Sequence, residues 1–341
     1  PLLLGEGKNG VYEDLPYFLY DLRPQGFLGR QIATELSKQS DDFPLNPERW
    51  NASHIGKYLI SNGGNLSGNL IFGQQAYNRM RQKLMETTPN DYPELAESVI
   101  AGEIPESSAG GEQPKFTTYC KEQSAHVIVK FSPKGNNPVA RRWKDILITE
   151  YHAAKVLLDV ELAAAETRLI EKEGRLFLES QRFDRRGKHG RMSMLSLQVM
   201  DAEFVGLGDG WIPVVSELHA KGLVSVQHVK ETAYLWVFGR LINNADMHLG
   251  NLSFGIEGDV FRLLPTYDMC SMGFAPKGGE VPPFQFTPPE PSSLYPSIVA
   301  LDNITELANT FWHNVASDKR ISNEFKEFLD KNNPLEGFSI P

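Results

Sequence analysis

Several protein classes fall away because the residues they need are missing. Two cysteines, Cys120 and Cys270, stand far apart with no CxxC and no Cys/His cluster, so neither a disulfide framework nor a structural zinc site is supported. No apolar run approaches the roughly 20 residues that cross a bilayer, and no signal-peptide pattern is present. Positive charge is also short: 34 Lys and Arg stand against 43 Asp and Glu, a formal net charge of −9. That balance argues against a surface built to coat nucleic acid, where affinity is largely cationic. There is no Walker A loop and no GxGxxG. The four N-x-S/T sequons, at Asn51, Asn65, Asn251 and Asn303, therefore read as chance, and a reduced, cytoplasmic chain is expected. The opening "PLLLGEG" lacks a Met, which suggests a fragment or processed form.

What is present is an ordinary globular composition, 41% apolar and 23% charged over 341 residues. A chain of this size buries roughly three quarters of its unfolded surface, enough for two or three domains or one bilobal one. Residues 27–36 carry helical spacing, with Ile32, Ala33 and Leu36 on one face. The glycine-rich stretch 61–72 reads as a loop leading into a strand. Residues 75–101 read as one or two helices around the breaker "TTPNDYP". Past residue 115 the period shortens, and "FTTYC" and "HVIVKFS" read as strands. "DILITEYHAAKVLLD" (145–159) is helical, with Ile148, His152, Lys155 and Asp159 placed away from Leu147, Tyr151, Ala154 and Leu158. Residues 163–185 form two short strands turning at "KEG". The basic run "RFDRRGKHGR" (182–191) suits a solvated hairpin or a binding patch equally well. The cleanest helix is 227–244, with Val229, Ala233, Trp236, Val237 and Leu241 near one stripe. "NLSFGIE" and "VFRLLPTYD" follow as strands. A proline-rich loop over 276–296 either lines a groove or wraps the helical half, and closing helices run from about 297 to 331.

Within this order lie the parts that phosphoryl transfer needs: a flexible cover for phosphates, a cation, a carboxylate near the acceptor hydroxyl, and oxygen ligands for magnesium. "SSAGGEQPK" supplies Ser108, Gly110, Gly111, Gln113 and Lys115, where paired glycines let main-chain N–H groups approach an anion. Lys130 ends the strand "HVIVK", and Glu150 in the next helix is its candidate partner. In "LINNADMHLGNLSF" (241–254), Asp246 precedes Asn251 by five residues, the Asp-to-Asn interval of a kinase catalytic loop. Asp268 follows Asn251 by seventeen residues, on the second of the two short strands. Each signal alone has a plain alternative: a turn, a lysine reaching water, a polar loop after a helix. Together and in order they are hard to explain that way.

At these residues the chain resembles the HipA family of bacterial serine/threonine kinases, the toxins of toxin–antitoxin systems. The resemblance rests on the loop at 108–115, "IVKF", "TEYHAAKVL", "RFDR" (182–185), "NNADMHLGN" and "PTYD", and spans about 106–270. It implies an α+β, bilobal, protein-kinase-like fold with a β-rich N-lobe over 106–185 and a helical C-lobe over 186–341. Residues 1–105 would form an N-terminal subdomain that matches only loosely. It implies ATP and Mg2+ as cofactors, Asp246 as catalytic base, and Asn251 and Asp268 as metal ligands. Lys130, ion-paired with Glu150, would bind phosphate, as would Gly110, Gly111, Glu112, Gln113, Pro114 and Lys115. Gln181, Arg182 and Phe183 would hold adenine through their main chain, with Asp184 near the ribose. His248 would lie beside the phosphates, and Tyr267 beside the nucleotide. Ser108, with its neighbour Ser107, falls where the family phosphorylates itself. A phosphate there adds about −1.5 to −2 charges and should repel ATP. The implied partners are a protein substrate with a Ser/Thr acceptor, such as a translation factor, and a HipB-like helix-turn-helix antitoxin. DNA would be met only through that partner, and no membrane is involved.

The chain departs from the family at Gly250, where a Lys is common. "DMHLGN" is closer to the D-L-H-x-G-N of aminoglycoside phosphotransferases. Two alternatives therefore stand beside the protein kinase: a small-molecule phosphotransferase, and a nucleotide-binding module that acts by sequestering a partner. Cys270 reads as a core thiol, and His219 and His228 as surface or helix-end residues.

Overall fold

β-Branched and aromatic residues alternate over 115–131 and 167–181, and these stretches build the central sheet. The structure, a computed structural model, describes residues 12, 14–40, 42–80, 84–102, 113–294, 303–331, 334–336 and 338. Strands β1 (Glu86–Thr87), β2 (Lys115–Cys120), β3 (Ala125–Phe131), β4 (Thr167–Lys172) and β5 (Arg175–Gln181) lie in the order β1-β2-β3-β5-β4. Only β1 runs parallel to its neighbour. The β4–β5 hairpin closes through Glu173 and Gly174, both at positive φ, as a two-residue turn requires. The two-residue pleat then sorts side chains. Val127, Val129 and Phe131 enter an apolar core with Tyr92 and Phe177, while Ile128 and Lys130 line a cavity on the other face.

That cavity lies between the sheet and a helical lobe. Helix α6 (Pro138–Asp159) links the two and starts with Asn137 accepting the Ala140 N–H and a proline in its first turn. It is buried on most sides, which corrects the face assigned from its sequence: Ile148 is fully buried, whereas Leu158 is 40% exposed. A helix sandwiched between two layers has no single apolar stripe to read. The lobe continues through β6 (Arg185–Arg186) and β7 (Gly190–Arg191), then β8 (Leu195–Ser196), α7 (Leu197–Phe204), α8 (Trp211–Ala220) and α9 (Val226–Leu241). Strands β9 (Ser253–Glu257) and β10 (Val260–Leu263) pair with β8 in the order β10-β9-β8. Helices α10 (Ile304–Ser317) and α11 (Asn323–Lys331) close the lobe.

The described part of the proline-rich loop wraps this lobe. Arg142 donates to the Phe274 and Pro282 carbonyls, each at 2.8 Å, and lies 3.6 Å over the Phe284 ring. Phe284 in turn stacks on Phe325 at 4.4 Å. Arg142 thus fastens the loop to α6.

Helices α1 (Tyr17–Tyr20), α2 (Gly26–Gln39), α3 (Ala52–Asn62) and α4 (Gln74–Met80) precede the sheet. A separate core holds Leu22, Ile32, Trp50, Ile55 and Leu59. Asn51, one of the sequon asparagines, caps α3 in a reciprocal pair with His54. No strand follows the 61–72 loop. Instead, β1 falls between α4 and α5 (Tyr92–Ile100), and both β1 and α5 pack with the sheet. Tyr17 of α1 joins the core of the helical lobe, and Leu28 of α2 joins the core of the sheet. The N-terminal helices therefore touch both lobes.

Candidate active site

The described residues that sequence reasoning singled out, Pro114 apart, line one cavity of about 910 Å³. Its roof is a row across the sheet: Thr167 on β4, Ser180 on β5 and Ile128 on β3 are register partners, and all three line it. One step along, Lys115 and Lys130 stand opposite each other on β2 and β3, both buried. Two cations at directly paired positions repel unless anions lie close by.

Those anions are present. Lys130 Nζ is 2.6 and 2.7 Å from the two oxygens of Glu150 on α6, and 2.5 Å from Asp268 Oδ1. Burial works to lower the Lys130 pKa, but Asp268 and Glu150 outweigh it and raise it. Burial works to raise Asp268, yet Lys130 and Lys115 hold it below the ordinary carboxylate range. Glu150 moves the other way, because burial with Asp268 nearby exceeds the pull of Lys130. Asp268 does not lie on a strand as its sequence suggested. Pro265 cannot donate to a ladder, β10 stops at Leu263, and Asp268 sits in a loop at φ +56°.

The facing wall is the loop after α9. Ile242 ends the helix and Asn243 takes the left-handed conformation. The Asn244 N–H returns to Gly239 O at 2.8 Å, a bonding pattern that satisfies the last helical carbonyls. Asp246 and His248 follow, with side chains 51% and 59% exposed, and His248 Nε2 lies 3.8 Å from Asp246 Oδ1. Asn251 Nδ2 donates to the Asp246 carbonyl at 2.7 Å, which leaves its Oδ1 as an acceptor. Tyr267 ties this loop to the Asp268 loop, donating to Gly250 O at 3.0 Å and bonding Ser253 Oγ at 2.7 Å. Gly250 has a local reason. Its N–H donates to His248 Nδ1 at 3.0 Å, and a Cβ there would come within 2.8 Å of the imidazole.

The segment 181–184 lines the cavity at the junction of sheet and helical lobe. The Gln181 and Arg182 N–H groups are taken by the Glu166 and His126 carbonyls. The Phe183 N–H has no hydrogen-bond partner among the described residues, and its ring lies 5.8 Å from that of Tyr267. Asp184 also lines the cavity, and its carboxylate is engaged by protein groups. It is buried and bonded to Arg182, Arg185 and the Gly68 N–H, and the two guanidinium groups overcome burial to hold it at about 2. Arg182 and Arg185 also bond the Asn65 side chain and the Leu66 carbonyl, and Arg185 bonds the Gly68 carbonyl. Arg191 bonds the Gly64 carbonyl. The basic run is thus neither solvated nor a free patch over these three arginines: it clamps the 64–68 loop.

Gln113 Nε2 is buried at the cavity wall with no hydrogen-bond partner among the described residues, and Pro114 precedes β2. Ser107, Ser108, Gly110, Gly111 and Glu112 lie outside the described residues. Cys120 and Cys270 are buried free thiols, and burial raises Cys270 well above its ordinary value.

Sequence reasoning missed the far wall. Arg23, Pro24, Gln25 and Gly26, together with Asn46 and Glu48, bound the cavity from the N-terminal helices. Asp21 anchors that wall to the N-terminus of α7, accepting from Ser196 N–H and O–H, each at 2.6 Å. Burial raises Asp21 to about 6 against those bonds. No local pattern signals such contacts. Asn244 was also missed, although an asparagine two residues before a loop aspartate is a turn signal.

A sheet lobe, a helical lobe and a cavity holding a buried Lys–Glu–Asp cluster opposite an Asp-to-Asn loop define a protein-kinase-like fold of the HipA type. Residues 107–327 match the family model of the HipA-like C-terminal domain, and residues 2–81 match that of the YjjJ-like toxin middle domain. The chain belongs to the HipA family of toxins. It is 38% identical over 344 residues to Toxin YjjJ of Escherichia coli (strain K12), covering 96% of this chain and 75% of that protein. Among solved structures it is similar to HipA of the Shewanella oneidensis MR-1 toxin–antitoxin system, in a complex with HipB and operator DNA. That likeness has a TM-score of 0.55 at 15% identity, over 91% of this chain and 78% of the other. Among the described residues, no helix is long and apolar enough to cross a membrane.

Proposed function

We propose that this chain is an ATP- and magnesium-dependent protein serine/threonine kinase of the HipA toxin type. The observation that carries the proposal is the buried Lys130 held between Glu150 and Asp268, in the same cavity as Asp246 and Asn251. A lysine fixed by two carboxylates at a cavity wall is poised to meet phosphate oxygens, which a lysine in water is not.

The donor groups fit the proposed cofactors. Asn251 Oδ1 and an Asp268 carboxylate held ionised by Lys130 are the hard oxygens that magnesium prefers. The Phe183 N–H and Gln113 Nε2 have no partner among the described residues; the first suits an adenine nitrogen and the second a phosphate oxygen. Bound ATP and magnesium would supply the γ-phosphoryl group and the divalent charge. Asp246 would accept the proton of the acceptor hydroxyl as that oxygen bonds to the γ-phosphorus and the bond to the β–γ bridging oxygen breaks, with ADP as the leaving group. Lys130 and Lys115 offset negative charge on the phosphates. Asp246 is open enough to receive a protein side chain, and we place the acceptor between its loop and the N-terminal wall.

We read the family likeness as pointing to a protein acceptor and a HipB-like antitoxin as partner, and we propose Ser107 or Ser108 as the site of autophosphorylation. The likeness of "DMHLGN" to small-molecule phosphotransferases does not need a small acceptor, because Gly250 also leaves room for the His248 ring. The test is incubation with γ-labelled ATP and magnesium, followed by mass spectrometry. Label on serine or threonine of this chain or of an added protein supports the proposal. ATP binding with no transfer to protein contradicts it.

A further inference from the structure

The Asp246 side chain is half exposed, with the His248 ring 3.8 Å away. Its direction is therefore set by its main chain. Two side chains hold that main chain: Asn251 at the Asp246 carbonyl, and Asn244, whose Oδ1 accepts the Asp246 N–H at 3.0 Å. Asn251 has a proposed duty toward the metal. Asn244, 5% exposed, lies behind the loop. Its other end points to the second loop, where Nδ2 lies 3.5 Å from the sulfur of Met269, the neighbour of Asp268. Gly239 on α9 makes room for this arrangement. A Cβ there would come within 2.5 Å of Met247 Sδ and 3.1 Å of Met269 Sδ, so both loops pack onto the same bare stretch of helix.

We propose that Asn244 is a positioning residue whose side chain fixes the Asp246 loop relative to the Asp268 loop; this rests on the kinase function proposed above. The end of α9 does not depend on that side chain, because the returning bond to Gly239 is made by the Asn244 main chain. Replacing the side chain therefore loosens the loop without undoing the helix end. A hydroxyl two residues before the bonded N–H makes the same turn more weakly.

The experiment compares wild type, Asn244→Ala and Asn244→Ser for the rate of phosphoryl transfer from ATP, the KM for ATP and thermal stability. Asn244→Ala should lower kcat about 100-fold, the scale of a 1 Å misplacement, with KM for ATP little changed. Asn244→Ser should recover a clear part of kcat. A kcat for Asn244→Ala within about twofold of wild type overturns the inference. So does a serine variant no better than alanine, or a loss matched by falling ATP affinity or unfolding. A wild type that transfers no phosphate rejects the kinase function itself, and this inference with it. An active wild type with an unaffected alanine variant rejects the inference alone.

Discussion

The two sides of the cavity are built differently. On the sheet side, Lys130 and Glu150 are each 6% exposed and bonded to each other, with Asp268 completing the cluster. On the loop side, Asp246 and His248 are more than half exposed and stand 3.8 Å apart. The first side is assembled by folding and gains its charge order from burial. The second is held by its backbone and left open. That is the division expected where one side must grip a small charged ligand and the other must admit a large acceptor. It also means that stability and turnover can be separated by mutation.

Lys130→Met should have the largest effect, ending phosphoryl transfer and leaving Glu150 and Asp268 buried without a cation. The cost in stability should be about 3–5 kcal/mol, read by denaturant unfolding. Adding Glu150→Gln should return part of the stability and none of the activity. If single and double variants are equally unstable, the cluster is not the coupled unit described here.

Arg185→Ala tests a second buried ionic knot, at the segment joining the lobes. It removes bonds to Asp184, Leu66 and Gly68 and should destabilise by about 3 kcal/mol. Hydrogen exchange in residues 64–68 should rise selectively. Uniform exchange across the N-terminal helices would mean that the clamp is not local.

An effect of similar size concerns pH. Burial raises Asp145 to about 6, in spite of bonds from Ser322 N–H and O–H. Its pKa is higher folded than unfolded, so the folded state binds more protons between about pH 4 and 6. Stability from this group is present below that window and falls as pH rises through it. Asp145→Asn should flatten the fall by about 3 kcal/mol. Asp21 contributes a similar slope, so the variant removes only part of it. A slope unchanged in the variant would show that Asp145 ionises normally.

The smallest expected change is from Gly250→Lys, which restores the residue common in the family. The new side chain must displace the His248 ring, so transfer should slow by a few-fold with stability unchanged. An unaffected rate would mean that His248 does not need its present orientation.

How much of this was legible beforehand follows the range of the interactions. The strands at 115–131 and 167–181 declared themselves by alternation, and the Asp246–Asn251 loop by spacing after a long helix. Lys130 and Glu150 were readable as candidates because a lysine ending an apolar strand needs an explanation. The buried face of α6 was not readable, because a helix packed on most sides has no polar stripe. The apolar run "VFRLLPTYD" reads as one strand through Asp268, but Pro265 breaks the ladder and leaves Asp268 in a loop. The arginine clamp was hidden because its acceptors are largely main-chain carbonyls in the 64–68 loop, which carry no residue signature. The N-terminal wall was hidden for a related reason: Asp21 and Ser196 are joined only by the fold.

The most direct measurement is Asp246→Asn, with ATP affinity and phosphoryl transfer determined on the same preparation. An open carboxylate that meets the acceptor and not the nucleotide should be dispensable for binding. The account predicts ATP affinity near wild type with transfer reduced by about 10²–10⁴-fold, the range for loss of a general base. Transfer at the wild-type rate, or loss of binding and transfer together, would contradict it.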